Sequence, residues 1–232
     1  MRLVFASFIC LLGALFPTVG ASEDQAVVVE LFTSQGCSYC PPVDAYLNEL
    51  AKQPNVIALA WHVDYWDYIG WKDSFADPAF TERQRAYAHA QKQRMIYTPQ
   101  LIINGVENMM GKIHDEVSAS IRKVTVQKAV VKLSSSRAGA AYTVTLSAAH
   151  RPGTYDVQLV RVSPNNTIKI LNGENAGKTV SYVNVVMDLR SLGSWDGQGE
   201  VTFSTGDLVR GKYTVLVQHQ GHGEIVAAAW LQ

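Results

Sequence analysis

Two cysteines separated by two residues, in Gly36-Cys37-Ser38-Tyr39-Cys40-Pro41-Pro42, are the part of this sequence best suited to chemistry. They lie between a short apolar run, Val27-Val28-Val29-Glu30-Leu31-Phe32, and a stretch in which Val43, Tyr46, Leu47 and Leu50 recur at helical spacing. Proline suits the first turn of a helix, so Pro41-Pro42 marks its start. A thiolate, not a thiol, attacks disulfides, and a helix N-terminus stabilises it through unpaired N–H groups and the positive end of the dipole. A free cysteine with a pKa near 8.5 is only about 3% ionised at neutral pH, whereas a value of ~7 makes about half of it thiolate. On this reading Cys37 is the exposed nucleophile and Cys40, inside the first turn, the buried resolving thiol. As a staple the pair would do little. Closing so short a loop gives only about 2 kcal/mol in the chain-entropy picture, against roughly 4.7 for a 100-residue loop.

The compartment agrees with that chemistry. Residues 1–21 read as a secretory signal: Arg2 is a positive start, Leu3 to Phe16 is an apolar run, Pro17 breaks it, and Val19-Gly20-Ala21 offers small residues for cleavage. The run is shorter than the roughly 20 residues that span a bilayer, so no stable membrane span is expected after cleavage. Cys10 leaves with the signal, and Cys37 and Cys40 remain in an exported, periplasmic or secreted chain, where disulfides persist. The whole sequence has 20 basic and 20 acidic residues and is 47% hydrophobic, which excludes a disordered chain and leaves no basic concentration for nucleic acid.

The elements that must position the pair follow from periodicity. Beyond the first strand and helix, Asn55 to His62 reads as a strand, and Asp77-Pro78 caps a helix running to about Arg94. Leu101-Ile102-Ile103 is a strand, Asn104-Gly105 a hairpin turn with its return at Val106 to Met110, and His114 to Lys123 a closing helix. This alternation predicts an α/β layout. From Val124 onward helical periodicity stops, and segments such as Tyr142–Leu146, Tyr155–Val160 and Tyr213–Val217 alternate between turn residues. Seven or eight short strands there predict an antiparallel sandwich.

Tyr97-Thr98-Pro99, just before the Leu101–Ile103 strand, is the second signal. With the cysteine pair it resembles the thioredoxin superfamily over roughly Val27 to Lys123. The resemblance implies that Pro99 is cis and that the backbone beside Thr98 pairs with a substrate strand next to Cys37. The runs Glu30-Leu31-Phe32-Thr33-Ser34-Gln35-Gly36-Cys37 and His62-Val63-Asp64-Tyr65-Trp66-Asp67 are more closely similar to a family of secreted bacterial thioredoxin-like proteins of unknown function. That similarity extends into Gly173-Glu174-Asn175-Ala176-Gly177. The resemblance and the strand pattern together give an α/β thioredoxin-like domain over 22–123, with an aromatic-rich insertion at 61–76, followed by an all-β sandwich-like domain over 124–232. There are departures from thioredoxin. Gly36 replaces the tryptophan before the first cysteine, and Ser38-Tyr39 is nearer the glutaredoxin pair, although no basic cluster implies glutathione. Glu30 stands near the buried acid that thioredoxin keeps in the preceding strand, and is the candidate proton acceptor for Cys40; an outward-facing carboxylate is the alternative.

Trp61, Tyr65, Trp66, Tyr68, Trp71 and Phe75 crowd one connection. They either line a cleft for an extended peptide, with Tyr39, Trp66 and Trp71 beside Thr98 and Pro99, or pack the insertion onto the domain. Zinc on the cysteines with His62 or His89 would need a second tight ligand pair, which is not visible, so no metal or other cofactor is expected. Gly173 to Thr179 is one residue short of a phosphate loop, and His219 and His222 flank a turn at Gly221. The function expected is thiol–disulfide exchange with a protein or small-molecule substrate and an external redox partner. The alternatives are a partner-binding protein with a redox-controlled latch, and copper(I) handling by the two thiolates.

Overall fold

The apolar run predicted to be buried on both faces forms β1 (Val27–Thr33), and every position in it is buried. Helix α1 (Pro41–Leu50) starts at the proline pair, and β2 (Val56–His62) then runs parallel to β1. Helix α2 (Pro78–Ala90) is capped by Asp77, whose carboxylate accepts from the Ala79 N–H at 2.8 Å. It stops short of Arg94 because Lys92 turns left-handed, with φ 55°, and the Gln93 N–H closes onto the Ala88 carbonyl. Strands β3 (Gln100–Ile103) and β4 (Glu107–Met110) form the hairpin around Asn104-Gly105, and α3 (His114–Thr125) follows. The remaining strands are β5 (Val131–Ala138), β6 (Ala141–Ala148), β7 (Tyr155–Lys169), β8 (Thr179–Trp195), β9 (Glu200–Asp207), β10 (Lys212–His219) and β11 (Ile225–Trp230). A computed structural model describes residues 26–110, 114–125, 130–148 and 152–232; the secretion signal expected at 1–21 lies outside them.

The strands do not sort into an α/β domain followed by a separate sandwich. Eight of them form one mixed sheet in the order β11-β10-β7-β8-β2-β1-β3-β4, and β5-β6-β9 form a second, smaller sheet. The join is at β8, which runs parallel to β2 through Ala60 and Val185. Asn184 reinforces it, donating from its side chain to the Ala58 carbonyl at 3.0 Å. An open edge on β2 would leave backbone groups unpaired, and β8 pairs them. The strands around the join are long rather than short. β7 and β8 stay paired from Tyr155–Trp195 to Lys169–Thr179 by absorbing irregularities at Val157/Gln158 and Arg161/Val162. This mostly β architecture overturns the expected fold class, an α/β thioredoxin-like domain with an all-β sandwich-like domain after it.

Alternation along the strands divides the core. Val27, Val29 and Leu31 of β1, with Ala58 and Ala60 of β2, pack under α1 and α3 through Val43, Leu47, Val117 and Ile121. Val28 and Phe32, with Ile57, Leu59 and Trp61, face the other way, toward Phe80 and Tyr87 of α2. The small sheet places Val131, Val144 and Leu146 against Val157, Leu159, Val215 and Val217 of the large one. Backbone bonds tie the ends together as well: Asn104 accepts from the Ile225 N–H at 2.9 Å and pairs with Val28.

Candidate functional site

The cysteine loop leaves the C-terminal end of β1 and enters α1. Cys37 and Cys40 are joined by a disulfide, with their Cα atoms 5.4 Å apart. The Cys37 N–H donates to the Ser34 carbonyl at 3.1 Å, and the Cys40 carbonyl receives the Val43 and Asp44 N–H groups at 2.9 and 3.0 Å. Cys40 therefore holds the position that caps α1. Pro41 and Pro42 have no N–H, so the first turn offers fewer free donors than a generic helix start, and the dipole carries more of any thiolate stabilisation. Cys37 is not exposed as the sequence reading expects. It is 1% accessible and Cys40 is fully buried.

A distant loop is bonded to the cysteine loop. Asn175 lies buried in an otherwise exposed turn between Gly173 and Gly177, and its amide nitrogen donates to the carbonyls of Gln35 at 2.9 Å and Cys37 at 2.8 Å. Lys178 holds the amide oxygen at 2.7 Å. The segment weighed as a shortened phosphate loop is thus a clamp on the cysteine loop. Nothing about Asn175 alone marks it for this role; its place in the run shared with the similar family is the one available signal.

Trp66 and Trp71 are struts on either side. Trp71 Nε1 donates to Gln35 Oε1 at 2.8 Å, and Trp66 Nε1 donates to Thr98 Oγ1 at 2.7 Å. A side chain at Gly36 would meet Trp66 Cβ at 3.1 Å, so Trp66 fills the space between the cysteine loop and Thr98. The Thr98–Pro99 peptide is cis, with Pro99 buried and Thr98 half-buried. Tyr39 and Tyr68 stand exposed, at 65% and 81%. Of the other aromatics, Trp61 is buried beneath Arg83 and Phe75 packs on His62. The insertion is packed far more than it is open.

Glu30 lies on the face of the sheet away from α1. It receives Arg83 Nε at 2.8 Å and the Tyr87 hydroxyl at 2.5 Å, and Gln218 Nε2 donates to the same hydroxyl at 2.7 Å. Burial drives the Tyr87 phenol well above its ordinary range, so it remains a donor to the carboxylate. This ion pair joins β1, α2 and β10, and β1 separates it from the cysteine pair.

On the α1 side the sequence reading missed a different group. Thr33 and His62 are register partners at the C-terminal ends of β1 and β2, and Asp44 reaches them from α1 one turn after Cys40. His62 Nδ1 bonds Asp73 Oδ2 at 2.7 Å, and Asp73 also accepts from the Gln35 N–H at 2.8 Å and the Phe75 N–H at 2.9 Å. The Tyr182 ring lies 4.8 Å from the imidazole. His62 Nε2 and the Tyr182 hydroxyl are buried with no hydrogen-bond partner among the described residues, and the Asp44 carboxyl faces the Thr33 hydroxyl beside them. Burial pushes the Asp44 carboxyl up to about 7, with His62 opposing, and pushes the Tyr182 phenol up as well. Among the described residues, no three His, Cys, Asp or Glu side chains gather at metal-binding geometry, and His89 sits exposed on α2.

Comparisons with known proteins agree on the chain as a whole. A family described as "Protein of unknown function (DUF1223)" matches residues 28–218. The crystal structure of protein AGR_C_4864 from Agrobacterium tumefaciens is similar at TM-score 0.75 and 34% identity, over 91% of this chain and 96% of that one. HBP35 of Porphyromonas gingivalis is similar at TM-score 0.63 and 16% identity, over 91% of this chain and 76% of that one, a likeness of fold alone. No curated protein matches. The matched span runs from the first buried strand, through the cysteine loop and its Asn175 clamp, to Gln218 beside Glu30 and Arg83; the chain belongs to the DUF1223 family.

Proposed function

We propose that this protein is an exported thiol–disulfide oxidoreductase that works through Cys37 and Cys40. The observation that carries the reading is the bonded pair at the N-terminus of α1, with Cys40 capping the helix. The nearby cis Thr98–Pro99 peptide, linked to the cysteine loop through Trp66, supports it at the level of the motif rather than of the fold. Export follows from residues 1–21 as read from the sequence and is compatible with a disulfide; no described helix is long and apolar enough to cross a membrane. In the reduced state the Cys37 thiolate attacks a substrate disulfide, and Cys40 resolves the mixed disulfide. The test combines the equilibrium reduction potential of the pair with an insulin-reduction assay and trapping by a Cys40→Ala variant. Covalent adducts with exported proteins, released by reductant, are the expected result; a pair that no thiol reduces without unfolding the chain would overturn the reading.

One observation favours a second reading. Both sulfurs are buried and Asn175 is clamped over their loop, as a redox-controlled latch in a partner-binding protein would require. In that case reduction releases the 173–177 loop, and binding of a partner, not turnover, depends on redox state.

A further inference from the structure

A buried polar group gathers around Asp44, one helical turn past Cys40, where an apolar core would be expected. Asp44 follows Cys40 by one helical turn, so the two side chains share a face of α1. From β1 Asp44 meets Thr33, from β2 His62, from β8 Tyr182, and from the connection after β2 Asp73; Glu30 and Arg83 lie across the sheet. The Asp73 carboxylate already accepts two backbone N–H groups, and its bond to His62 Nδ1 leaves Nε2 as the imidazole's free nitrogen. Buried polar atoms without partners, here His62 Nε2 and the Tyr182 hydroxyl, are costly unless they have a use.

We propose that Asp44, backed by the His62–Asp73 pair, takes and returns the proton of the buried Cys40 thiol during exchange. This deepens the oxidoreductase reading and rests on it. In the reduced protein the Cys37 thiolate bonds one sulfur of a substrate disulfide, and the other sulfur leaves as a thiolate. The Cys40 thiol then passes its proton to the Asp44 carboxylate. Its sulfur attacks Cys37 Sγ, the Cys37–Cys40 bond forms, and the second substrate sulfur is expelled as a thiolate. Two electrons have moved from the cysteine pair to the substrate. An external dithiol that later reduces the pair supplies those electrons back, and the proton on Asp44 returns to Cys40. A carboxyl held at about 7 by burial is matched to this task, since transfer is most efficient when the acceptor titrates near the working pH.

The experiment separates the two cysteine steps in single turnover with a small aromatic disulfide. Asp44→Asn should slow resolution by Cys40 by about 10- to 100-fold near neutral pH and remove its pH inflection, while Cys37 attack, read in a Cys40→Ala background, changes by less than about threefold. Equal slowing of both steps, or an unchanged resolution profile, overturns the relay. Carboxyl carbon NMR of the unsubstituted protein gives a second readout that does not depend on how the variant folds. The Asp44 titration should move upward on reduction of the disulfide, and an identical titration in both redox states overturns the proposal. If the unsubstituted protein exchanges with no disulfide or dithiol at all, it is the oxidoreductase reading that falls.

Discussion

Asn175 reaches Cys37 across the molecule, its amide nitrogen 2.8 Å from the Cys37 carbonyl while also serving Gln35. A residue from the segment between β7 and β8 therefore holds the conformation of the loop that carries the disulfide. Asn175→Ala leaves two buried carbonyls without their donor, which costs about 2 kcal/mol of stability. It should also speed reduction of the disulfide by dithiothreitol about fivefold or more, because the bonded loop opens more cheaply. Denaturant melts and stopped-flow reduction measure the two effects, and an unchanged reduction rate would show that the clamp does not control access.

Asp44 has a consequence for stability with a definite sign. Burial raises its folded-state value from 3.8 to about 7, so in this range the folded state holds a proton that the unfolded chain has already released. Its contribution falls as pH climbs from about 4 toward 7, and the whole penalty, on the order of 4 kcal/mol, is in place above that. Asp44→Asn should therefore match the unsubstituted protein near pH 4 and exceed it by up to about 4 kcal/mol near pH 8. Urea midpoints across that window read it directly.

Glu30 is expected to matter for folding and not for exchange. Its ion pair with Arg83 is buried on both sides, so Glu30→Gln or Arg83→Met leaves an uncompensated group and should cost about 3–5 kcal/mol. The pH profile of the resolution step should be the same as in the unsubstituted protein. A shifted profile in Glu30→Gln would move the proton acceptor to the other face of the sheet.

The proline pair sets how strongly α1 favours a thiolate. Pro42→Ala restores an N–H in the first turn, worth about 0.3–1 kcal/mol to a nearby anion, and should lower the Cys37 thiol pKa by a few tenths of a unit. Alkylation of the reduced protein against pH measures the change. A rise, or none, would mean that the sulfur does not sense the helix terminus.

Much of the local structure was legible in the residues themselves. A continuous apolar run, Pro41-Pro42, Asp77-Pro78 and Asn104-Gly105 each act over a few residues, and β1, α1, the cap of α2 and the β3–β4 turn lie where those signals put them. The cysteine pair was legible for the same reason: its spacing is a property of one turn of chain. The tertiary structure alone decided which strands become neighbours and which face α1 covers. Alternation places Glu30 and Thr33 on opposite faces of β1, but it does not say which face lies under the cysteines; packing of α1 onto Val29 and Leu31 settles that, and with it the choice of Asp44 over Glu30. The pairing of β8 with β2, which joins strands from both expected domains in the eight-stranded sheet, is made at Ala60 and Val185 and by Asn184 on Ala58. The reach of Asn175 to Cys37 is of the same kind. Such contacts are set by the burial of whole surfaces rather than by neighbours in the chain, so no local pattern of residues encodes them.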